Sequence, residues 1–384
     1  MRFSRLVDAV CQTQEGARVL GHGDPEVRSI HYRAQQVKPG GLFVAVAGTA
    51  ADGHDFVGRA VEAGAAALVV NRPTPDAGLP QLVAEDTRAA MAVMAHEFFG
   101  HPSRELVVVG ITGTNAKTTV SYLLEAVFAE AGFSPGVVGT VETRWKGHAR
   151  PSAMTTPESV DLAGALRRMA DAGTTHAILE VSSHALHQGR VREVAFDCGL
   201  FTNLSQDHLD YHQDLEAYFA AKKLLFTRYL EESARHKRTW GVVNADDPYG
   251  RRLLSEAGVP TLSVGMESAC EVQGRELSVD HRGIRGKIVT PAGEFALTSP
   301  LVGRHNFYNL LCAAGAALAL GIDPPVIARG LCRVENIPGR LQRVEVEGCP
   351  TVLVDYAHTP AALEKVIQAL KPLCKGRLFT VFGA

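Results

Sequence analysis

The stretch of sequence that decides the fold covers residues 110–119 and reads GITGTNAKTT. It overlaps the end of an apolar, β-branched run at residues 106–111, which predicts a buried strand, and leads into a helix predicted over residues 117–131. A glycine-rich turn between a buried strand and a helix N-terminus presents backbone N–H groups to an anion. We therefore predict a phosphate loop, in which Lys117 reaches the β- and γ-phosphates and the Thr118 hydroxyl ligates Mg²⁺.

The spacing of this stretch differs from the common pattern G-x-x-x-x-G-K-[ST]. Gly113 stands four residues before Lys117, and Ala116 takes the place of the usual glycine. An alanine is tolerable there if its φ is negative and costly if its φ is positive. The alternative interpretation is an ordinary strand-to-helix turn.

Around the predicted loop, apolar strands alternate with helical stretches, which is typical of a doubly wound α/β sheet. Further central strands are predicted at residues 177–181, 199–202 and 240–244. Hairpins are predicted between about residues 270 and 300, with Gly283, Gly286 and Gly293 as turn points, followed by a buried helix at 306–320.

The chain divides into three predicted segments. Residues 1–100 form an α/β unit, residues 101–336 hold the phosphate loop, and residues 337–384 begin a third domain. That last segment offers too few elements to bury a core of its own, so we expect a domain cut short at its C-terminal end. The predicted elements of the first segment are strands at 41–46 and 65–70 and helices at 54–64 and 87–99; those of the third are strands at 351–354 and 378–382 and a helix at 360–370.

Composition excludes several classes of protein. Hydrophobic residues make up 46% and charged residues 21% of the chain, as in soluble globular proteins, and the net charge of −2 argues against a general nucleic-acid or membrane-surface binder. No apolar run reaches the roughly 18 residues of a membrane span. The seven cysteines are scattered without a C-x-x-C pair, which favours a reducing cytoplasm and gives no zinc signal.

Acidic and imidazole side chains follow two of the predicted central strands. Glu180 closes the strand at 177–181, and DHLDYH at residues 207–212 follows the strand at 199–202. Because ligands of open α/β sheets bind at the carboxyl ends of the strands, these groups are candidates to face the phosphate loop. Taken alone, Glu180 has a surface carboxylate as its alternative, and His208 a solvated or helix-capping role. Lys222, in a helical stretch, would on the same grounds simply face solvent.

Taken together, these motifs resemble the Mur ligases, and among them the type that extends UDP-N-acetylmuramoyl-L-alanyl-D-glutamate. The resemblance covers the whole chain. DHLDYH followed ten residues later by Ala-Lys, and DYAHTP, are its most specific elements. The motifs that carry it are GITGTNAKTT (110–119), TTPE (155–158), EVSSHALHQGRV (180–191), TNLSQDHLDYHQDLEAYFAAK (202–222), NADD (244–247), GRHNFYNLLCA (303–313), PGRLQRVE (338–345), VDYAHTP (354–360) and the N-terminal stretch at 37–70.

The resemblance implies roles for individual residues. Lys117, His208 and a carbamylated Lys222 would be the catalytic groups, and Thr118, Glu180, His208 and Lys222 would surround Mg²⁺ ions. ATP would be bound by Thr112, Gly113, Thr114, Asn115, Ala116, Lys117, Thr118, Asn306, Asn309, Arg340 and Asp355. The UDP-muramoyl dipeptide would be bound by Ile30, Tyr32, Thr49, Ala50, Ala51, Thr155, Thr156, Ser182, Gln188 and Arg190.

The sequence departs from the family pattern at two sites. His31-Tyr32-Arg33 stands where the family usually has Asp-Ser-Arg near the uridine, and Ala116 replaces a glycine. The Gly-Gly-Asp-Arg-Asp run that follows Phe-Gly-Ala in the family is absent from this sequence, and so is the Asp-Asn-Pro-Arg motif that selects the incoming amino acid.

The implied activity is ATP-dependent amide ligation in peptidoglycan precursor synthesis. ATP would phosphorylate a carboxylate of the terminal D-glutamate, and the amine of a diamino acid, meso-diaminopimelate or L-lysine with the former favoured, would attack the acyl phosphate. A cytoplasmic monomer is expected. The alternatives are a folylpolyglutamate or cyanophycin synthetase, a P-loop ATPase of another kind, and a non-catalytic protein that binds a nucleotide or the UDP precursor.

Overall fold

Three β-sheets organise the chain, which is described by a computed structural model over residues 1–48, 51–280, 282–344, 351–358, 360–374 and 376–383. The helices are α1 Phe3–Cys11, α2 Val57–Glu62, α3 Thr87–Phe98, α4 Lys117–Glu130, α5 Ser159–Asp171, α6 Ser183–His187, α7 Leu209–His212, α8 Leu215–Leu224, α9 Leu230–Ser233, α10 Pro248–Glu256, α11 Arg304–Ala319, α12 Pro324–Cys332 and α13 Pro360–Leu370. A π-helical turn at Leu225–Tyr229 joins α8 to α9.

The strands follow the predicted α/β alternation. Within the described residues they are β1 Arg18–Leu20, β2 Ser29–His31, β3 Gly41–Val44, β4 Ala65–Val70, β5 Gln81–Val83, β6 Val107–Thr112, β7 Pro135–Val138, β8 Glu142–Trp145, β9 His148–Pro151, β10 His176–Glu180, β11 Cys198–Phe201, β12 Trp240–Asn244, β13 Thr261–Gly265, β14 Val272–Asp280, β15 Gly283–Thr290, β16 Gly293–Ser299, β17 Gln342–Val344 and β18 Val352–Val354.

The first sheet has the order β1-β5-β4-β3-β2, with β1 antiparallel and the other described neighbours parallel. The runs of β3 and β4 are buried on both faces, as parallel strands are when helices cover both sides. Helices α1 and α3 cover one face and α2 covers the other.

The large sheet has the described order β16-β15-β14-β13-β12-β11-β6-β10-β7-β8-β9. From β14 to β7 its strands are parallel, and antiparallel hairpins extend both edges. Val109 packs with α4 and α11 on one face, while its neighbour Val108 packs with α5 and α8 on the other. The sheet is therefore doubly wound, and the predicted fold class is confirmed.

Most predicted elements match within a residue or two, and three expectations are wrong. The helix predicted over residues 54–64 is a 3-10 turn at Gly53–Phe56 followed by α2, because the Asp52 side chain caps the turn at His54. Residues 378–382 form no strand, since no described strand lies beside them to complete a ladder, and their apolar side chains are exposed.

The third wrong expectation concerns Gly286, which lies inside β15 and is not a turn residue. The Phe307 ring on α11 packs directly against the backbone of Gly286 and of Gly274 on β14. A Cβ at Gly274 would collide with that ring, and one at Gly286 would lie 3.0 Å from it. Gly283 and Gly293 do sit at turns with positive φ.

The third sheet pairs β17 with β18 antiparallel, and α13 follows it. Val344, Val352 and Val354 on this small sheet are substantially exposed. Of the helices in the described part of the chain, none combines the length and the apolarity needed to cross a bilayer.

Because the Phe307 ring rests on the Gly274 Cα, we expect Gly274→Ala to lower the free energy of unfolding by about 1–3 kcal/mol through overpacking. Urea unfolding followed by circular dichroism measures this change. A second substitution, Phe307→Leu, removes the clash, so the two changes should combine to less than the sum of their separate costs.

The matched control is Gly58→Ala in α2, where an added Cβ meets no atom within 4 Å. It should leave stability unchanged or raise it by up to about 1 kcal/mol, because alanine is the better helix former. A Gly274→Ala protein as stable as the wild type would contradict the packing described for Phe307.

Candidate functional site

The loop between β6 and α4 is fixed by its contact with the end of β11. Gly113 has φ of +147°, and a Cβ there would collide with the Thr202 hydroxyl, so glycine is required on both grounds. Thr202 Oγ1 donates to the Asn115 carbonyl at 2.7 Å, and the Asn203 carbonyl accepts from Thr114 N at 2.8 Å. These two hydrogen bonds fix the backbone of the predicted phosphate loop to the residues that follow β11.

Two lysine ammonium groups converge on one carbonyl of this loop. Lys117 Nζ and Lys222 Nζ donate to the Gly113 oxygen at 2.8 and 2.9 Å, and Lys117 also reaches the Thr114 carbonyl. Lys222 is 1% exposed, so the expectation of a solvent-facing lysine on this helix is wrong for it. Its Nζ lies 4.3 Å from the centre of the Tyr218 ring.

Burial changes the proton affinity of both lysines. It lowers the pKa of Lys222 well below its usual value, and the nearby positive charge of Lys117 lowers it further. Burial also lowers the pKa of Lys117, where the Glu180 carboxylate opposes the shift. A lowered pKa makes it easier for a lysine to lose its proton and become a nucleophilic amine.

Ala116 adopts φ of +76°, the left-handed conformation, at the N-cap of α4. Its carbonyl still accepts from Val120 N at 2.8 Å, so the helix starts normally. A side chain in this conformation costs roughly 1–2 kcal/mol relative to glycine. Of the two outcomes that the sequence left open at this position, the costly one is found.

Glu180 is a buried carboxylate at the carboxyl end of β10, so the surface alternative is wrong. Its Oε2 accepts from Thr118 Oγ1 at 2.9 Å and from Thr140 Oγ1 at 2.8 Å. Gly139 leaves room for the other oxygen, because a Cβ there would collide with Glu180 Oε1. A carboxylate beside two hydroxyls is the hard-oxygen environment that Mg²⁺ prefers.

The donor set of this corner fits Mg²⁺ better than a softer metal. Among the described residues, no three His, Cys, Asp or Glu side chains lie close enough together to hold a metal ion. A magnesium ion bound by one carboxylate, a threonine hydroxyl, water and phosphate oxygens needs no such cluster. As an ammonium, Lys222 is not a metal ligand; as a carbamate, it would supply anionic oxygen.

His208 lies at the N-cap of α7 with φ of +53° and a side chain that is 49% exposed. The structure does not bring it into hydrogen-bond contact with Glu180 or Lys222; its ring lies 3.8 Å from the Asp207 carboxylate and contacts the rings of His184 and Tyr218. Its position is that of the capping alternative, although its side chain accepts no cap hydrogen bond. Burial lowers the pKa of the neighbouring His212 to about 4.

The residues predicted to hold the dipeptide end of the precursor do come together. Thr155 Oγ1 lies 3.1 Å from Thr140 Oγ1, and Thr156 Oγ1 bonds the Glu180 carbonyl at 2.9 Å and Ser182 N at 3.0 Å. The Arg190 guanidinium donates to Gln188 Oε1 at 2.6 Å. This group continues the same edge of the sheet from Glu180.

The residues predicted for the uridine end lie on the first sheet. Ile30 is buried in β2, and the Tyr32 hydroxyl donates to Asp161 on α5 at 2.6 Å. Burial, together with that carboxylate, raises the pKa of Tyr32. Ala51 is exposed, its carbonyl accepting from Gly48 N at 2.9 Å. Thr49 and Ala50 lie outside the described residues.

The predicted ATP-binding residues outside the loop lie near a cleft of about 440 Å³ lined by Asn306 and Arg340. Asn309 Nδ2 bonds Asn306 Oδ1 at 2.9 Å. Arg340 lies close enough to the phosphate loop for its positive charge to add to the effect of burial on Lys117 and lower the pKa of that lysine further. Asp355 uses both carboxylate oxygens on backbone groups, Leu341 N at 2.8 Å and Ala357 N at 2.9 Å.

Sequence reasoning missed several residues of the site. Thr140 follows the end of β7 just as Glu180 ends β10, so the strand-end rule that selected Glu180 also identifies Thr140 once β7 is recognised. Thr202 and Asn203 follow β11 for the same reason. Glu158 ends the TTPE motif but was given no role, and Arg88 gave no local signal, since their contact joins residues 70 positions apart.

These features define an α/β protein with a phosphate-binding loop, two inward-facing lysines and a magnesium-type oxygen cluster. Comparison with known sequences agrees. The profile of the Mur ligase middle domain matches residues 111–317, that of the Mur ligase family catalytic domain matches residues 26–99, and that of the Mur ligase glutamate ligase domain matches residues 339–384.

Individual relatives are similar over almost the entire chain. A UDP-N-acetylmuramoyl-L-alanyl-D-glutamate–2,6-diaminopimelate ligase of Geobacter metallireducens is 45% identical over 385 residues, covering 100% of this chain and 74% of the relative. A solved structure of a ligase with the same name aligns with a TM-score of 0.78 and 29% identity, over 90% of this chain and 70% of that one. Thermotoga maritima MurF in complex with ADP shares the fold, with a TM-score of 0.63 and 22% identity, over 91% of this chain and 76% of that one.

The chain belongs to the Mur ligase family, whose members are ATP-dependent amide ligases. Within that family, the relative at 45% identity and the solved structure at 29% identity are both named as ligases that add 2,6-diaminopimelate.

Since Ala116 occupies a left-handed conformation, Ala116→Gly should raise the free energy of unfolding by about 1 kcal/mol. Thermal unfolding measures the gain. The control is Ala129→Gly, an exposed position in the same helix, which should lower stability by about 1 kcal/mol. A destabilised Ala116→Gly protein would contradict the assigned backbone conformation.

Replacing the buried lysine should stabilise the fold while removing a functional group. The unfolded chain keeps the Lys222 proton up to its usual pKa of 10.5, whereas the folded chain releases it at lower pH. The unfolded state therefore binds more protons in that window, and wild-type stability rises as pH increases towards 10.5.

In Lys222→Met, folding no longer has to remove a proton from a buried lysine. At neutral pH we therefore expect this variant to be more stable than the wild type by about 1–2 kcal/mol. The difference should shrink as pH rises. Urea unfolding at several pH values in buffer purged of CO₂ measures both effects. A difference that is constant with pH would show that Lys222 keeps its ordinary pKa in the fold.

Proposed function

We propose that this protein joins meso-2,6-diaminopimelate to UDP-N-acetylmuramoyl-L-alanyl-D-glutamate at the expense of ATP, forming ADP and phosphate. The observation that carries the proposal is the convergence of Lys117 and Lys222 on the Gly113 carbonyl, beside a buried Glu180. A simple phosphate loop needs the first lysine alone, so the second, buried lysine calls for a further role in this site. The relatives that match over the full chain carry the name of this reaction.

We assign the parts of the reaction to parts of the chain. Residues 1–100 hold the uridine end of the precursor, residues 101–336 hold ATP and the dipeptide end, and residues 337–384 contribute Arg340 and Asp355 to the nucleotide site. Thr155, Thr156 and Ser182 lie next to Glu180, and Arg190 donates to the Thr156 carbonyl, which supports placing the terminal D-glutamate there. In this arrangement the phosphate loop and the D-glutamate carboxylate that receives the phosphoryl group lie at the same edge of the sheet.

The chemistry runs in two displacements. A carboxylate oxygen of D-glutamate attacks the γ-phosphorus of ATP, the bond to the bridging oxygen breaks, and ADP leaves. The diaminopimelate amine then attacks the acyl phosphate carbon; inorganic phosphate leaves and the amine loses a proton, giving the amide. Lys117 neutralises charge on the transferring phosphoryl group, which is the main demand of such a step.

Bound Mg²⁺ would supply further charge neutralisation, and Thr118 and Glu180 are placed to hold it. We infer that Lys222 reacts with CO₂ to become a carbamate. Its neutral amine attacks the carbon of CO₂ and loses a proton, and the lowered pKa favours the reacting form. Conversion replaces a buried amine beside the phosphate loop with an anionic group whose oxygens can bind a metal ion.

The proposal also retains a cytoplasmic monomer. The six described cysteines are all free thiols, two of them buried, which supports a reducing compartment; the monomer stays a prediction. The substrates are water-soluble nucleotide and amino-acid derivatives.

The test measures phosphate release from ATP and Mg²⁺ with the UDP-muramoyl dipeptide and, in turn, meso-diaminopimelate or L-lysine. We expect release that requires the precursor and diaminopimelate together. Lys222→Ala should reduce the rate at least about 100-fold, because it removes a charged group at the reacting centre. ¹³C-bicarbonate should give a carbamate NMR signal in the wild type that the variant lacks.

The control is Lys223→Ala, the next residue, whose ammonium pairs with Glu256 at 2.7 Å away from the loop. It should keep nearly full activity. Binding of the precursor without turnover would favour the non-catalytic alternative. Release that follows L-lysine and ignores diaminopimelate would overturn the assigned amino acid, and failure to bind the precursor would overturn the proposal as a whole.

A further inference from the structure

Two arginines from different parts of the chain share the carboxylate of Glu158. Arg88, in α3 beside the first sheet, places Nη1 2.6 Å from both Glu158 oxygens. Arg190, which follows α6, places Nε 3.3 Å from Glu158 Oε1. The side chains of Arg88, Glu158 and Arg190 are 21%, 9% and 16% exposed, so the group is largely shielded from water.

The contacts are unequal. Arg88 has the two short distances, and Arg190 has one longer distance to the oxygen that Arg88 already contacts. Arg190 is held mainly by neutral acceptors, Gln188 Oε1 at 2.6 Å and the Thr156 carbonyl at 3.1 Å. Two positive charges share one negative charge, and Glu158 lies closer to Arg88, so Arg190 is the less fully neutralised of the two arginines.

The position of the group connects the first sheet with the dipeptide end of the site. Glu158 is the N-cap residue of α5, and Asp161 in the first turn of the same helix accepts the Tyr32 hydrogen bond at 2.6 Å. The start of α5 is thus held by two residues of the first segment. Arg190 lies on its other side, bonded to the carbonyl of Thr156.

We propose that Arg88 is a positioning residue for precursor binding: by occupying the Glu158 carboxylate it keeps Arg190 available for an anionic group of the substrate. This inference rests on the proposed function, which supplies a precursor carrying a diphosphate and carboxylates. Arg88 does not contact the substrate and acts only through Glu158.

The consequence of removing Arg88 follows from charge balance in a poorly hydrated place. A buried carboxylate without a partner is unfavourable, so Glu158 would draw in the nearest cation, which is Arg190. Arg190 would then pair with Glu158, and its guanidinium would no longer be free to bind an anionic group of the precursor. Removing the Glu158 charge as well should let Arg190 bind the anionic group of the precursor again, because a glutamine carries no negative charge to attract it.

The experiment measures binding of the UDP-muramoyl dipeptide by calorimetry and, separately, KM and kcat. Arg88→Met should weaken precursor binding about tenfold and raise the KM for precursor similarly, with kcat and the KM for ATP nearly unchanged. The double variant Arg88→Met/Glu158→Gln should recover most of the lost affinity. Arg88→Lys, which keeps the charge and loses the planar fork, should fall between the wild type and Arg88→Met.

The control is Arg5→Gln, which breaks the exposed ion pair between Arg5 and Glu97 of α3 and should leave all constants unchanged. A double variant as weak as Arg88→Met, or weaker, would mean that the group is only structural and would overturn the inference. Wild-type affinity in Arg88→Met would overturn it too. A wild type that fails to bind the precursor would instead overturn the proposed function.

Discussion

The constraint on which the site depends is the absence of a side chain at Gly113. Its left-handed backbone lets the loop turn back over the sheet, and the space a Cβ would take holds the Thr202 hydroxyl. The turned carbonyl receives Lys117 and Lys222 together. One residue thus sets the loop conformation, its attachment to β11 and the meeting of two lysine side chains. Lys222 is buried there among groups that favour its neutral form.

Much of the fold could be predicted because parallel strands buried on both faces form continuous apolar runs. β4 and β12 were located to the residue on that basis, and β6, β10 and β11 to within one. Glu180 and Lys117 were found for a related reason: the carboxyl ends of such strands gather at one edge, and chemistry-bearing residues there face a common ligand. The glycine-rich turn that leads into Lys117 at a helix start was the strongest local signal.

Other features depended on contacts that no local pattern records. Gly286 looked like a turn residue because its role, close packing against the Phe307 ring, is set by a helix that follows later in the chain. Asp355 was predicted only as an ATP-binding residue; the structure adds that both its oxygens accept from backbone N–H groups, a role that no local pattern indicates. Residues 378–382 have strand-like composition, but strand formation requires a neighbour as well as composition.

The order of strands in the large sheet has a consequence for biosynthesis. β6 lies between β10 and β11, both of which leave the ribosome well after it. At about 5–20 residues per second, on the order of ten seconds separate the synthesis of β6 from that of its two neighbours. During that interval an apolar strand and a lysine-bearing loop have no sheet to join. Nascent chains of this protein are therefore expected to be clients of chaperones that shield apolar segments, and the nucleotide site forms late in folding.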